Sequence, residues 1–146
     1  MKRAIAFLVT CATLPLPALA WEFSPEPICT LSQAAGTGQV TVTFDPALPE
    51  YGIAITLAEG AWDQAPVFAI VFEGARPLTI STDRHVLSDE GMTLTVRDRG
   101  FGNVLNGLQF NTRAIARSGA TSVTIPLVGA SPEVQAFREC PAPATS

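Results

Sequence analysis

Ser81, Asp83 and His85 alternate within the stretch Ser-Thr-Asp-Arg-His at 81–85, and they supply the side-chain types of a nucleophile, an orienting acid and a base. The chemistry such a set could do is nucleophilic hydrolysis, in which the histidine takes the hydroxyl proton and the carboxylate fixes its tautomer. Spacing argues against it. Side chains two apart on a strand stand about 6.6 Å from each other, so Ser81 and His85 would be about 13 Å apart and out of contact. The favoured reading is a polar strip that faces solvent, with His85 solvated or paired across the strand. A hydrolase using His85 with Asp83 or Asp98 is kept as the enzymatic alternative. His85 is the only histidine in the chain, which rules out a multi-histidine metal site.

Carboxylates Asp83, Asp89, Glu90 and Asp98 gather in the same region and could in principle take a cation such as calcium. No EF-hand spacing is present. Asp89 and Glu90 are ordinary turn residues, and Arg84, Arg97 and Arg99 are near enough in sequence to pair with Asp83 and Asp98 across strands. No metal and no cofactor are expected.

The densest unusual passage is Arg-Asp-Arg-Gly-Phe-Gly-Asn-Val-Leu-Asn-Gly-Leu at 97–108. It is not a phosphate loop, because no Gly-Lys-Ser/Thr follows. It also misses the dinucleotide register, because Leu105 stands where a third glycine is needed. The preferred reading is structural. A strand ends at Asp98, and Phe101 plugs the fold. A compact turn or short helical segment then covers Asn103 to Leu108, with Val104, Leu105 and Leu108 buried and with glycine and asparagine taking left-handed conformations. The functional reading makes the passage a recognition corner, in which Arg97, Arg99, Asn103 and Asn106 line a partner or ligand site. With His85 these are the candidate binding residues; no catalytic set is assigned.

Most of the chain that must position these groups alternates with a period of two. Val40, Val42 and Phe44 share one face of a strand over 39–44, and Tyr51, Ile53, Ile55 and Leu57 share one face over 51–57. Val67 to Phe72 is apolar throughout and reads as a central strand buried on both faces. Leu78 to Leu87 and Met92 to Asp98 read as one long hairpin turning at Ser88-Asp89-Glu90-Gly91, with Gly91 taking a positive φ. Further strands are expected over 109–116 and 122–128. Ser131 as N-cap, Pro132 at N1 and Glu133 in the first turn predict one short C-terminal helix. The expected fold class is all-β, an antiparallel β-sandwich or open barrel carrying that helix.

The termini place the chain in the cell. Lys2 and Arg3, an apolar run from Ile5 to Leu14 and Ala18-Leu19-Ala20 have the form of a secretory signal peptide over 1–20, cleaved before Trp21. The remaining 126 residues suit a single β-domain over 21–140 and a disordered tail over 141–146. They hold seven arginines, no lysine and 13 acidic residues, a net charge of −6. Such a surface is a poor partner for a phosphate backbone, so no nucleic acid is expected. No membrane span is expected after cleavage. The two cysteines left, Cys29 and Cys140, are expected to pair in an oxidising compartment, the periplasm or outside the cell. A redox role lacks the Cys-x-x-Cys spacing it usually needs.

Three stretches carry a resemblance. They are Phe-Glu-Gly-x-x-Pro-Leu-Thr-Ile-Ser-Thr-x-Arg-His-Val-Leu-Ser at 72–88, Gly-Phe-Gly-Asn-Val-Leu-Asn-Gly-Leu at 100–108, and Pro-Leu-x-Gly-Ala-x-Pro-Glu-Val-x-Ala-Phe-Arg-x-Cys at 126–140. With the signal peptide ending before Trp-Glu-Phe, the chain resembles a family of small exported proteins of Gram-negative bacteria with no established activity, some of them labelled as the helicase component of excinuclease ABC. The chemistry of that label, a large cytoplasmic ATPase, has no counterpart in a small acidic chain without a phosphate loop. The C-terminal part loosely resembles the invasion-associated locus B type of periplasmic β-domain. Neither resemblance brings catalytic or binding residues. The expected function is a binding or interaction module of the cell envelope, contacting another protein or a cell-wall component through the 97–108 corner and the 83–90 tip. The alternatives are the hydrolase above and an inhibitor of a secreted hydrolase.

Overall fold

A computed structural model of the protein describes residues 10–14, 20–35 and 37–140. The expected signal peptide at 1–20 falls largely, and the expected tail at 141–146 entirely, outside these residues. The elements run β1 (Glu22–Ser24), β2 (Cys29–Ala35), β3 (Gly38–Asp45), β4 (Glu50–Leu57), β5 (Phe68–Gly74), β6 (Leu78–Thr82), β7 (Val86–Ser88) and β8 (Thr93–Asp98). They continue with α1 (Gly102–Phe110), β9 (Asn111–Ser118), β10 (Thr121–Pro126) and α2 (Ala130–Glu139).

The strands form two antiparallel sheets, a six-stranded one in the order β1-β2-β3-β4-β8-β7 and a four-stranded one in the order β10-β9-β5-β6. The fold is therefore a sandwich and not a barrel. Period-2 alternation decides which face of each sheet is buried. In the first sheet one inward row reads Phe23–Leu31–Val42–Ile53–Val96, and its neighbour reads Cys29–Phe44–Tyr51–Asp98. The outward rows hold Thr30, Thr41, Thr43, Gly52, Ala54 and Thr95. In the second sheet the inward rows are Ile125–Ala114–Phe72–Leu78, Val123–Ala116–Ile70–Ile80 and Thr121–Ser118–Phe68–Thr82. Alanines on β9 leave room beside Phe72 and Ile70, so large and small side chains interdigitate.

The helices bridge the sheets. α2 packs on β1 and β2, α1 packs on β5, β6 and β9, and the two helices pack on each other. Cys140, at the end of α2, is bonded to Cys29 in β2. Arg138 extends the clasp, donating from Nε to Gln109 Oε1 and from Nη2 to Asn106 Oδ1.

The structure corrects several expectations about the chain. The long hairpin from Leu78 to Asp98 does not form as one unit. β6 pairs with β5 in the second sheet, whereas β7 pairs with β8 in the first, and residues 83–85 carry the chain between layers. The N–H of Arg84 donates to Thr82 Oγ1, and this local bond bends the strand where a straight hairpin needs it extended. At the β7–β8 turn Asp89 (φ 53) and Glu90 (φ 59) are left-handed as well as Gly91 (φ 86). The strand over 67–72 is inside its sheet, but only one of its faces is buried; Ala69, Val71 and Glu73 are half-exposed. α2 starts two residues earlier than its cap signal implied, with Gly129 at φ 80 as N-cap in place of Ser131, so Ser131 lies within the first turn. Glu133 does sit in that turn, where its Oε2 accepts the N–H of Phe23.

The corner after Asp98 contains a second helix, α1, with Val104, Leu105 and Leu108 buried as expected. Its glycines do not serve as left-handed positions. Gly107 is helical, and a Cβ there would overlap the Phe72 ring. Close approach of α1 to β5 is what requires the missing side chain.

This packing makes two expectations about stability measurable. Reducing Cys29–Cys140 opens a link spanning 111 residues and should lower the melting temperature by roughly 10–20 °C. Calorimetry with and without reductant measures this, and an unchanged melt would deny the bridge any role in stability. Gly107→Ala, which in an exposed helix would stabilise by about 1 kcal/mol, should here destabilise by about 1–3 kcal/mol. A urea midpoint at or above that of the wild type would contradict the close contact with Phe72.

Candidate functional site

The two sheets do not close on each other along the side where β6 faces β8. The inner face of β6 has no direct partner there, so Ile80 is only half-buried, as is Val96 opposite. The gap between them is a cleft of about 450 Å³. Its floor is apolar, made by Ile53, Phe68 and Ile70. Its rim is the corner from Asp98 to Val104, in which Phe101 is buried and stacks on Tyr51 with ring centroids 5.5 Å apart. Ser81 and Thr82 form the opposite lip. A concave, mostly apolar site with a few polar groups at its mouth is the usual form of a small-ligand site, and its volume lies within the usual range of roughly 300–1,000 Å³.

The candidate residues divide among separate places. Arg97 points to the outer face of the first sheet, opposite Gly52 in register. There its Nη1 lies 3.6 Å from Glu50 Oε1 while the side chain stays 68% exposed, so the pair contributes little. Arg99 is exposed, and its backbone N–H donates to Asp98 Oδ1 at 2.7 Å. Asn103, in the first turn of α1, lines the cleft. Asn106 is taken up by Arg138 in the helix clasp. The corner and the 83–90 tip lie towards opposite ends of the sheet, because β8 runs from the turn at Thr93 to Asp98, a span of about 17 Å. A partner that touched both would have to extend along that strand.

His85 does not meet either carboxylate. Its Nε2 lies 2.8 Å from the carbonyl oxygen of Ala65. A carbonyl only accepts, so Nε2 carries the proton in this bond. Nδ1 is buried and bonds to no described residue, and the ring packs on Phe68 with centroids 6.1 Å apart. This arrangement ties the crossover between layers to the segment that precedes β5. Ser81 is exposed on the outer face of β6, and Asp83 is exposed in the crossover itself. Asp89 Oδ2 accepts the hydroxyl of Thr93. Among the described residues no three of His, Cys, Asp and Glu come together.

The residues that sequence reasoning missed are Ile53, Phe68, Ile70, Ile80 and Val96. Alternation marked Ile53 and Val96 as core-facing, and the apolar run over 67–72 marked Phe68 and Ile70 as buried, but nothing local marks which core positions face a gap. Asp98 carried a signal that could have been used. It continues the phase of Leu94 and Val96, so it falls on the inward face of β8, where a carboxylate is out of place.

If His85 is a structural tie, His85→Ala should destabilise the fold by about 1–2 kcal/mol, because the Ala65 carbonyl loses its donor. Urea unfolding measures this, and an unshifted midpoint would remove the structural explanation of the residue. Compared with protein-family models, with curated proteins and with solved structures, the chain finds no match in any of the three.

Proposed function

We propose that the protein is an exported, non-catalytic binding module of the cell envelope whose ligand enters the cleft between the two sheets. The observation that carries this reading is the 450 Å³ opening, with apolar walls and the 98–104 corner as its rim. Leaving Ile80 and Val96 half-exposed costs hydrophobic stabilisation at about 25 cal/mol per Å² of apolar surface, which a bound apolar group would restore.

Other observations fit the same reading. The Cys29–Cys140 bridge suits an oxidising compartment such as the periplasm. Trp21, the first residue after the proposed cleavage point, is buried, and its Nε1 donates to the Pro126 carbonyl. The fold therefore uses the chain from Trp21 onward. The binding reading is preferred to hydrolysis because the bond His85 makes is to a backbone carbonyl and not to a carboxylate or a hydroxyl.

The test is titration of the purified protein with an uncharged naphthalene-type fluorescent probe, beside a Val96→Phe variant that fills the opening. Enhanced emission saturating at one probe per chain, weakened about tenfold or more by Val96→Phe with the melting temperature kept, supports the proposal. A wild type that does not bind the probe, or a variant that binds it equally well, removes the cleft as the site.

A further inference from the structure

The register of the first sheet places Asp98 on its inward face, in one row with Tyr51 and Phe44. The carboxylate thus stands at the rim of the cleft, and it is the only formal charge among the described residues that line it. Its Oδ1 accepts the backbone N–H of Arg99, and it forms no ion pair with a described side chain. The neighbouring arginine in sequence, Arg97, is turned to the other face of the sheet beside Glu50. The charge at the mouth is therefore not neutralised by the protein.

We infer that the ligand is an amphiphilic cation, an apolar chain bearing a single ammonium group, with the chain in the cleft and the ammonium against Asp98. This rests on the cleft being the binding site. A carboxylate beside an apolar slot discriminates by charge. It attracts an ammonium, tolerates a neutral head, and repels a fatty acid or any anionic head. The N-terminus of α1 lies at the same rim and favours the opposite sign. It amounts to at most about half a charge, and its effect fades within the first turn. Asp98, Gly102 and Asn103 are all exposed to water, so screening weakens both alike and the full carboxylate charge outweighs the half charge of the helix end. The −6 net charge of the chain after Trp21 adds a field of the same sign and draws cations toward the protein. A zwitterionic headgroup would bring a phosphate to a negative rim, which is why a free alkylammonium is the class assigned.

Three probes that share one ten-carbon chain, decylammonium, decanol and decanoate, decide the matter. Each displaces the fluorescent probe from the purified protein below its micellar concentration, at low salt. The expected order is ammonium, then alcohol, then carboxylate, with at least about tenfold between the first and the last. Asp98→Asn should bring the ammonium to within about twofold of the alcohol and leave the alcohol unchanged. Equal displacement by all three, or an ammonium preference that survives Asp98→Asn, overturns the charge inference and leaves the cleft standing. Failure of all three to displace the probe means that the cleft does not take chains. In that case the alkyl-chain ligand is refuted along with its charge, whereas the cleft itself is refuted only if Val96→Phe leaves probe binding unchanged.

Discussion

The architecture depends on how one inward row of the first sheet is covered. Cys29, Phe44, Tyr51 and Asp98 lie side by side there. Cys29 is bonded to the end of α2, and Tyr51 lies against Phe44, Phe101 and Phe137. These rings come from β3, β4, the residue before α1, and α2. A covalent bond and an aromatic cluster thus hold both helices over one end of the sandwich. α1 is then held to β5 by the absence of a side chain at Gly107, and to α2 by Arg138. Apolar burial supplies most of the stabilisation, and the bridge limits how far the unfolded chain can spread.

That covering extends unevenly. The disulfide lies on the β1–β2 side of the first sheet, and α2 packs on those strands. On the β8 side only the corner from Asp98 to Val104 reaches over the gap. The second sheet ends there with β6, a five-residue edge strand whose inner side chains are incompletely covered. The opening is a consequence of the same docking that stabilises the opposite side. A rigid frame around an open apolar slot is a suitable basis for binding, because little ordering is needed when a ligand arrives.

The passage at 97–108 combines both of the roles considered for it. Its second half is structural, since Val104, Leu105 and Leu108 are core and Gly107 permits close packing. Its first half forms the rim of the cleft, with Asp98 facing inward and Asn103 at the mouth. The arginines that drew attention to the passage lie outside the cleft, because alternation turns Arg97 away from the side chain it follows and the one it precedes.

What the sequence determined by itself was everything set by local periodicity and by covalent chemistry. The phases of 39–44, 51–57 and 92–98, the buried set after Phe101, the C-terminal helix and the pairing of two distant cysteines could all be read from short windows or from compartment chemistry. These features need only neighbouring residues or an oxidising environment. Sheet membership was decided by the tertiary structure. Leu78–Thr82 and Val86–Ser88 have compatible patterns, yet one pairs with β5 and the other with β8, because strand pairing is chosen by distant partners. The reason for Gly107 was likewise invisible, since Phe72 lies 35 residues away in the chain. The cleft belongs to the same class. Residues from β4, β5, β6, β8 and α1 line it. An empty space is a property of how layers fail to meet, which no single segment encodes.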